Sequence, residues 1–180
     1  MANFNKAYGA GLRDAYVKDA TGVVYDINAV VGIDADNDQT DTEVRGDDAL
    51  KATFSSGRKE TLTITANGVT FDTIAALTGN TATSSAGGIE IPLGTTSELN
   101  PPYVEIGGLT NGRSDDGTAV VLKKVFHKVQ INSIVVHMEG ETEFSVEMTG
   151  TAYFTDKTIT AVTLSPARTS TLSEYTGQVA

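Results

Sequence analysis

The side chains with the most chemical potential in this chain are an acidic run, Asp34-Ala35-Asp36-Asn37-Asp38, and two histidines, His127 and His137. Carboxylates at alternating positions suit a hard cation such as calcium. The run departs from a calcium loop where that motif is specific. Its sixth position, where glycine makes the sharp turn, is Gln39, and its twelfth, where a bidentate glutamate closes the shell, is Arg45. The plainer reading is a solvated acidic loop, or a loop ordered by a neighbouring subunit. His127 and His137 fall on adjoining strand-like stretches. Two imidazoles make a catalytic zinc site only with a third ligand and an open position. By alternation His127 shares a face with Lys123, Val125 and Val129, and His137 with Ser133, Val135 and Glu139. Both therefore read as polar-face side chains.

Other chemistries lack their residues. With no cysteine, disulfides, thiolate nucleophiles and cysteine zinc sites are absent. There is no Gly-x-Ser-x-Gly elbow for a serine nucleophile. No Gly-x-x-x-x-Gly-Lys-Ser/Thr loop or Gly-x-Gly-x-x-Gly turn is present to cradle a phosphate. A glycosidase needs a carboxylate pair beside an aromatic-lined cleft, and this chain has no tryptophan and 7% aromatics. The expectation is a protein without a catalytic centre, cofactor or metal. Thirteen basic against twenty-three acidic side chains give a net charge of −10, which argues against wrapping nucleic acid on a basic patch.

The 180 residues have room for one domain with arms. No apolar run approaches the roughly eighteen residues of a membrane span, and Met1–Lys6 has no charged start followed by an apolar stretch, so neither membrane insertion nor secretion is expected. Threonine, valine and isoleucine dominate short alternating runs, which predicts an all-β sandwich or barrel with long loops. Hydrophobic residues are 39%, below the globular norm of roughly 45–50%, so the core is expected to be thin and copies of the chain to cover one another.

The element reading divides the chain into an N-terminal arm at 1–14, a β domain at 15–164 and a polar tail at 165–180. Strands are expected at Ala15–Lys18 and Val23–Val31, around the turn Asp19-Ala20-Thr21-Gly22. A long acidic loop is expected at 32–48, with Asp34, Asp36, Asp38, Asp41, Glu43, Asp47 and Asp48. A hairpin then runs from Leu50–Ser55 to Glu60–Ala66 around Ser56-Gly57-Arg58-Lys59. Leu50, Ala52 and Phe54, then Leu62, Ile64 and Ala66, form its buried face, and Lys51, Thr53 and Ser55, then Thr61, Thr63 and Thr65, its wet one. One short helix, Thr70–Thr78, is capped by Thr70, carries Asp72 in its first turn and ends at Gly79. Phe71, Ile74 and Ala75 are expected to pack it on the outer side of that hairpin, against Leu62 and Ile64. After a threonine- and glycine-rich connection at 80–100 holding a short strand at Ile89–Leu93, an extended piece is expected at Tyr103–Ile106 and a loop at Asn111–Gly117. Strands follow at Thr118–Gln130, Asn132–Met138, Thr142–Phe154 and Ile159–Leu164.

The stretch Arg45–Gly68 and the helix Phe71–Asn80 resemble the major tail tube proteins of long-tailed bacteriophages. The shared pattern is an acidic loop, a Lys-Glu-x-Leu-x-Ile-x-x-Asn-Gly hairpin strand (Lys59–Gly68) and a single amphipathic helix; Phe144–Phe154 fits in order and length. The resemblance implies a β-sandwich with one helix, a subunit of hexameric rings stacked into a hollow tube. It implies a virion location in the tail, assembly in the host cytoplasm, and tape measure and terminator proteins as partners. DNA would pass through the lumen without specific binding.

Within that frame the residues suggest two surfaces. Along Glu141–Thr155, Phe144, Val146, Met148, Ala152 and Phe154 share an oily face, while Glu141, Glu143 and Glu147 with Ser145, Thr149 and Thr151 share a wet one. The expectation is that this wet face, joined by Lys51, Thr53, Thr61, Thr63 and Thr65, lines the bore. The acidic loop is expected to order against an adjacent subunit, where Arg58, Lys59 or Arg113 would answer its charge. The competing reading is a calcium- or carbohydrate-binding β-sandwich module.

Overall fold

The computed structural model describes residues 7–27, 29–46, 49–114, 117–137, 145–153 and 160–166. Among these residues ten strands and one α-helix follow in chain order: β1 (Ala7–Lys18), β2 (Val24–Asp26), β3 (Val30–Gly46), β4 (Ala49–Ala66), α1 (Phe71–Thr78), β5 (Thr83–Ser85), β6 (Gly88–Glu90), β7 (Val104–Ser114), β8 (Ala119–His137), β9 (Ser145–Tyr153) and β10 (Thr160–Pro166). Apart from the small β5–β6 hairpin, the strands form one antiparallel sheet in the order β2-β1-β7-β8-β9-β4-β3, with β10 also on β8.

The 19-residue β8 is the spine. Its first part pairs with β7 on one edge and β10 on the other, and its second part, from Val129 on, pairs with β9. Two wings therefore share it: β2-β1-β7-β8 and β8-β9-β4-β3. Ala15 and Val17 of β1, Ile106 of β7, Phe126 and Val129 of β8, Leu62 and Ile64 of β4, and Val146 and Met148 of β9 meet in one buried cluster. The wings thus fold over a common core as an all-β sandwich. The terminal strands β2 and β3 do not pair with each other, so the sheet is not a closed barrel.

Alternation explains which faces turn inward. In β4, Leu62, Ile64 and Ala66 are fully buried while Thr61 is exposed and Thr63 and Thr65 half-buried. In β9, Val146, Met148 and Ala152 are fully buried between half-buried Ser145, Glu147, Thr149, Thr151 and Tyr153. Burying the even-numbered side chains of both strands requires the odd-numbered ones to face away from the core.

The helix forms as expected. Thr70 caps it by accepting from the Thr73 amide at 3.2 Å, and Gly79 closes it at φ 73. Its packing differs from expectation. Phe71 is 43% exposed, and the buried positions are Thr73, Ile74, Leu77 and Thr78. The helix sits on β2 and β8, with the Thr73 hydroxyl donating to the Asp26 carbonyl at 3.2 Å. Leu77 joins the cluster that holds Leu62 and Ile64, so the helix plugs the core rather than covering the outside of β4.

Four further expectations change. The acidic stretch 32–48 is not a loop: through Gly46 it belongs to β3, paired with β4. Its carboxylates alternate with Ile33 and Ala35, which pack against the core, and that period suits a strand with one wet edge face. The turn expected at Ser56–Lys59 lies inside β4, where Ser56 pairs with Thr40 and Lys59 with Asp38 across a register shift between Asp38 and Thr40. The arm, from Ala7 on, is part of β1 and pairs with β7. The strand expected at Val23–Val31 is broken, because Ala29 takes a left-handed φ of 52 that a regular strand cannot hold.

Candidate functional surface

Antiparallel partners lie on the same face of a sheet. The register of the second wing therefore aligns four rows on its outer side. Asp38, Lys59 and Tyr153 form the first; Asp36, Thr61, Thr151 and Gln130 the second. Asp34, Thr63, Thr149 and Ser133 form the third, and Gly32, Thr65, Glu147 and Val135 the fourth. The hydroxyls fill the middle of this wall, and the carboxylates of β3 line one side.

Polar contacts fix the wall's β8 side. The Asn132 amide donates to the Thr151 hydroxyl at 3.0 Å, and Gln130 donates to the Pro101 carbonyl at 2.8 Å. Tyr103 and Tyr153 stack edge to face with centroids 5.9 Å apart, and the Lys128 ammonium lies 4.3 Å from the Tyr103 ring centre. On the opposite side Lys59 pairs with Asp38 at 3.3 Å. Both are about half-exposed, so this ion pair contributes little.

The structure thus brings together Thr61, Thr63, Thr65 and Glu147, as expected from alternation. Glu141 and Glu143 lie outside the described residues, as do Asp47 and Asp48. Lys51, Thr53 and Arg58 are on β4, and Asp41 and Glu43 on β3, as backbone positions of the ribbon. Arg113 is exposed on β7 in the other wing, in register with Tyr8 and Ala119. The alternating Asp34, Asp36 and Asp38 stand on an extended strand, which does not wrap an ion as a loop does. Among the described residues no three His, Cys, Asp or Glu side chains group to hold a metal.

A polar cluster on the outer face of the first wing was not anticipated. Glu105 of β7 is 9% exposed. It accepts from the Tyr16 hydroxyl at 3.0 Å, and its other oxygen lies 3.3 Å from His127 Nδ1. The Lys123 ammonium sits 6.0 Å from the Tyr16 ring centre. Burial pushes the Lys123 amine down, Glu105 opposes that, and Lys18 adds to it. Tyr16 lies across Gly107, its partner in register, where a Cβ would collide with the ring. His127 and Lys123 do share a face, as alternation predicts, but Val129, expected on it too, turns into the core across a register shift between β7 and β8, and the signal for Glu105 and Tyr16 existed only in the pairing of β1 with β7.

No protein-family model matches the chain, and no curated protein matches it. Among solved structures it is similar to the tube-terminating cap of the anti-feeding prophage, at 14% identity and a TM-score of 0.38, over 85% of this chain and 88% of that one.

Proposed function

We propose that this chain is a structural, non-enzymatic subunit of a phage-type tail tube. Copies form hexameric rings that stack into a conduit, and the outer wall of β8-β9-β4-β3 lines the bore. The observation that carries this reading is the wall itself: four strands wide, backed by the core, faced with threonine hydroxyls and carboxylates. A duplex slides along a surface that does not hold its phosphates, since each lysine or arginine contact adds to affinity. Glu147 and the β3 aspartates supply a weak repulsive field, and hydroxyls supply a hydrated surface. The phrase resemblance of Arg45–Asn80 to tail tube proteins supports the same reading. So does the β3–β4 ribbon beyond Asp38, which has no third strand among the described residues and would offer its edges to a neighbouring copy.

Negative-stain microscopy of the concentrated protein tests the assembly: rings or tubes are expected, and a persistent monodisperse monomer would overturn it. The bore is tested by Glu143→Lys with Glu147→Lys in assembled particles. Particles of normal appearance with disturbed genome ejection are expected; unchanged ejection would put this wall on the outside.

A further inference from the structure

A second surface lies at the helix end of the sandwich. An open groove of about 690 Å³ runs between the β1–β2 turn, α1 and the chain that follows α1. Ala75, Ala76, Ala82 and Pro102 give it small apolar walls, and among the described residues its charged lining is Asp19 and Asp72. The volume is within the range that accommodates a ligand or a few side chains of a peptide.

Two features distinguish it from a passive crevice. The first is charge. From Glu60 through Gly112 the chain contains no Lys, Arg or His, while Glu60, Asp72, Glu90, Glu98 and Glu105 are acidic. The donors on the Asp19 carboxylate, from Thr21, Val23 and Tyr25, are all neutral. They hold the carboxylate in place without bringing a positive charge to it.

The second feature is a built wall. Asn80 lines the groove and is 9% exposed. Its amide donates to the Pro92 carbonyl and to Glu98, both at 2.7 Å, and its carbonyl accepts from the Thr95 hydroxyl at 2.5 Å. Glu98 also accepts from the Gly94 amide at 2.8 Å. These contacts pin the excursion 81–100, in which no residue is buried, and it holds out Ile89, Leu93 and Leu99. A segment with no core of its own, latched by a polar network and displaying large aliphatic side chains, is shaped for contact.

We propose that this groove docks a basic, aliphatic-bearing peptide segment of another protein. Aliphatic side chains enter between Ala75, Ala76 and Pro102, and lysine or arginine side chains answer Asp19 and Asp72. Charge complementarity selects this partner, because an uncharged or acidic segment would leave both carboxylates unanswered.

The test is a titration of the full chain with a labelled synthetic peptide of alternating lysine and leucine pairs, at low and physiological salt. Saturable binding is expected, weakened about tenfold or more by Ala76→Arg and severalfold by Asp72→Asn, with melting curves of both variants near the parent's. A lysine-only peptide of the same length is expected to bind at least about tenfold more weakly. Absence of saturable binding would overturn the proposal. So would equal binding by a folded Ala76→Arg variant, or equal binding of the lysine-only peptide. Self-association that is lost in Ala76→Arg while the peptide fails to bind would show a second copy in the groove instead, and would equally overturn it.

Discussion

The two halves of the β3–β4 ribbon are made from the same pattern and end in different situations. In the inner half, Val30–Asp38 pairs with Lys59–Ala66, β9 adds a third strand, and Leu62, Ile64 and Ala66 are fully buried. In the outer half, Thr40–Gly46 pairs with Ala49–Ser56, and among the described residues no third strand pairs there. Leu50, Ala52 and Phe54 alternate there just as Leu62, Ile64 and Ala66 do. A two-stranded ribbon is marginal in water, whereas three strands with an apolar face against a core are stable. Alternation therefore makes a strand, but a third strand and a core decide whether it carries the stability of the monomer. The inner half packs into the core, and the outer half is the part that the proposed assembly would use.

The sharpest way to break this comparison is a matched pair of truncations. Ile64→Ala should cost about 2–5 kcal/mol, because a fully buried side chain leaves a cavity. If the outer half packs only in the proposed assembly, Leu50→Ala should cost the free monomer no more than about 0.5 kcal/mol. Thermal melting of the two variants checks this, and comparable losses would mean that the outer half packs on its own core.

Overpacking probes the inner region from the other side. At Gly150 of β9 an added Cβ would lie 2.7 Å from the Gln130 carbonyl oxygen and 2.8 Å from Ile131 Cδ1. Backbone cannot swing aside, so Gly150→Ala should cost about 1–3 kcal/mol. Denaturant unfolding reads this directly; a neutral result would show that β8 and β9 are looser than their register implies.

Hydrogen exchange extends the comparison to dynamics. Amides of Leu62–Ala66 should exchange slowly in monomer and assembly alike. Those of Thr40–Gly46 and Ala49–Ser56 should be fast in the monomer and slow in the assembly. Equal protection of the outer half in both states removes its assembly role.

A smaller effect sits at the β1–β2 turn. Burial alone would raise the Asp19 carboxyl; hydrogen bonds from Thr21, Val23 and Tyr25 outweigh it and hold the group below the usual carboxylate range. A depressed value means stability present above the ordinary range and lost as the pH falls below about 4 through the folded value. Thr21→Val removes the hydroxyl donor, so its melting temperature should fall less steeply with acid than the parent's. The smallest effect belongs to the Lys59–Asp38 pair at the junction of the two halves. Lys59→Gln should change stability by at most about 0.5 kcal/mol, since an exposed pair is solvated whether or not it forms.

Local rules read from the sequence were sufficient for α1, whose cap, first-turn acid and terminal glycine all lie within ten residues. They were sufficient for the two faces of β9 and for Thr61–Ala66, because a period of two marks its own buried side. They also gave the turn at Asp19–Gly22, where the Gly22 amide donates to the Asp19 carbonyl at 3.1 Å. They placed a turn inside what is one continuous strand, β4, because Ser56-Gly57-Arg58-Lys59 is polar enough to turn and extended enough to pair. They placed Phe71 on the buried side, because helical spacing gives a stripe without saying which of its edges meets the core.

The sequence by itself determined an all-β chain with one helix, the oily and wet faces of its strands, and the absence of motifs for cysteine, phosphate or serine chemistry. Those follow from side-chain type and from periods of two and three to four residues, which are local. Only the tertiary structure decided that the acidic stretch is a strand, that Asp36, Thr61, Thr151 and Gln130 share a row, and that Tyr16 and Glu105 meet. Each of these depends on pairing between strands distant in sequence, and register is set by whole faces finding their core rather than by any residue's own preference.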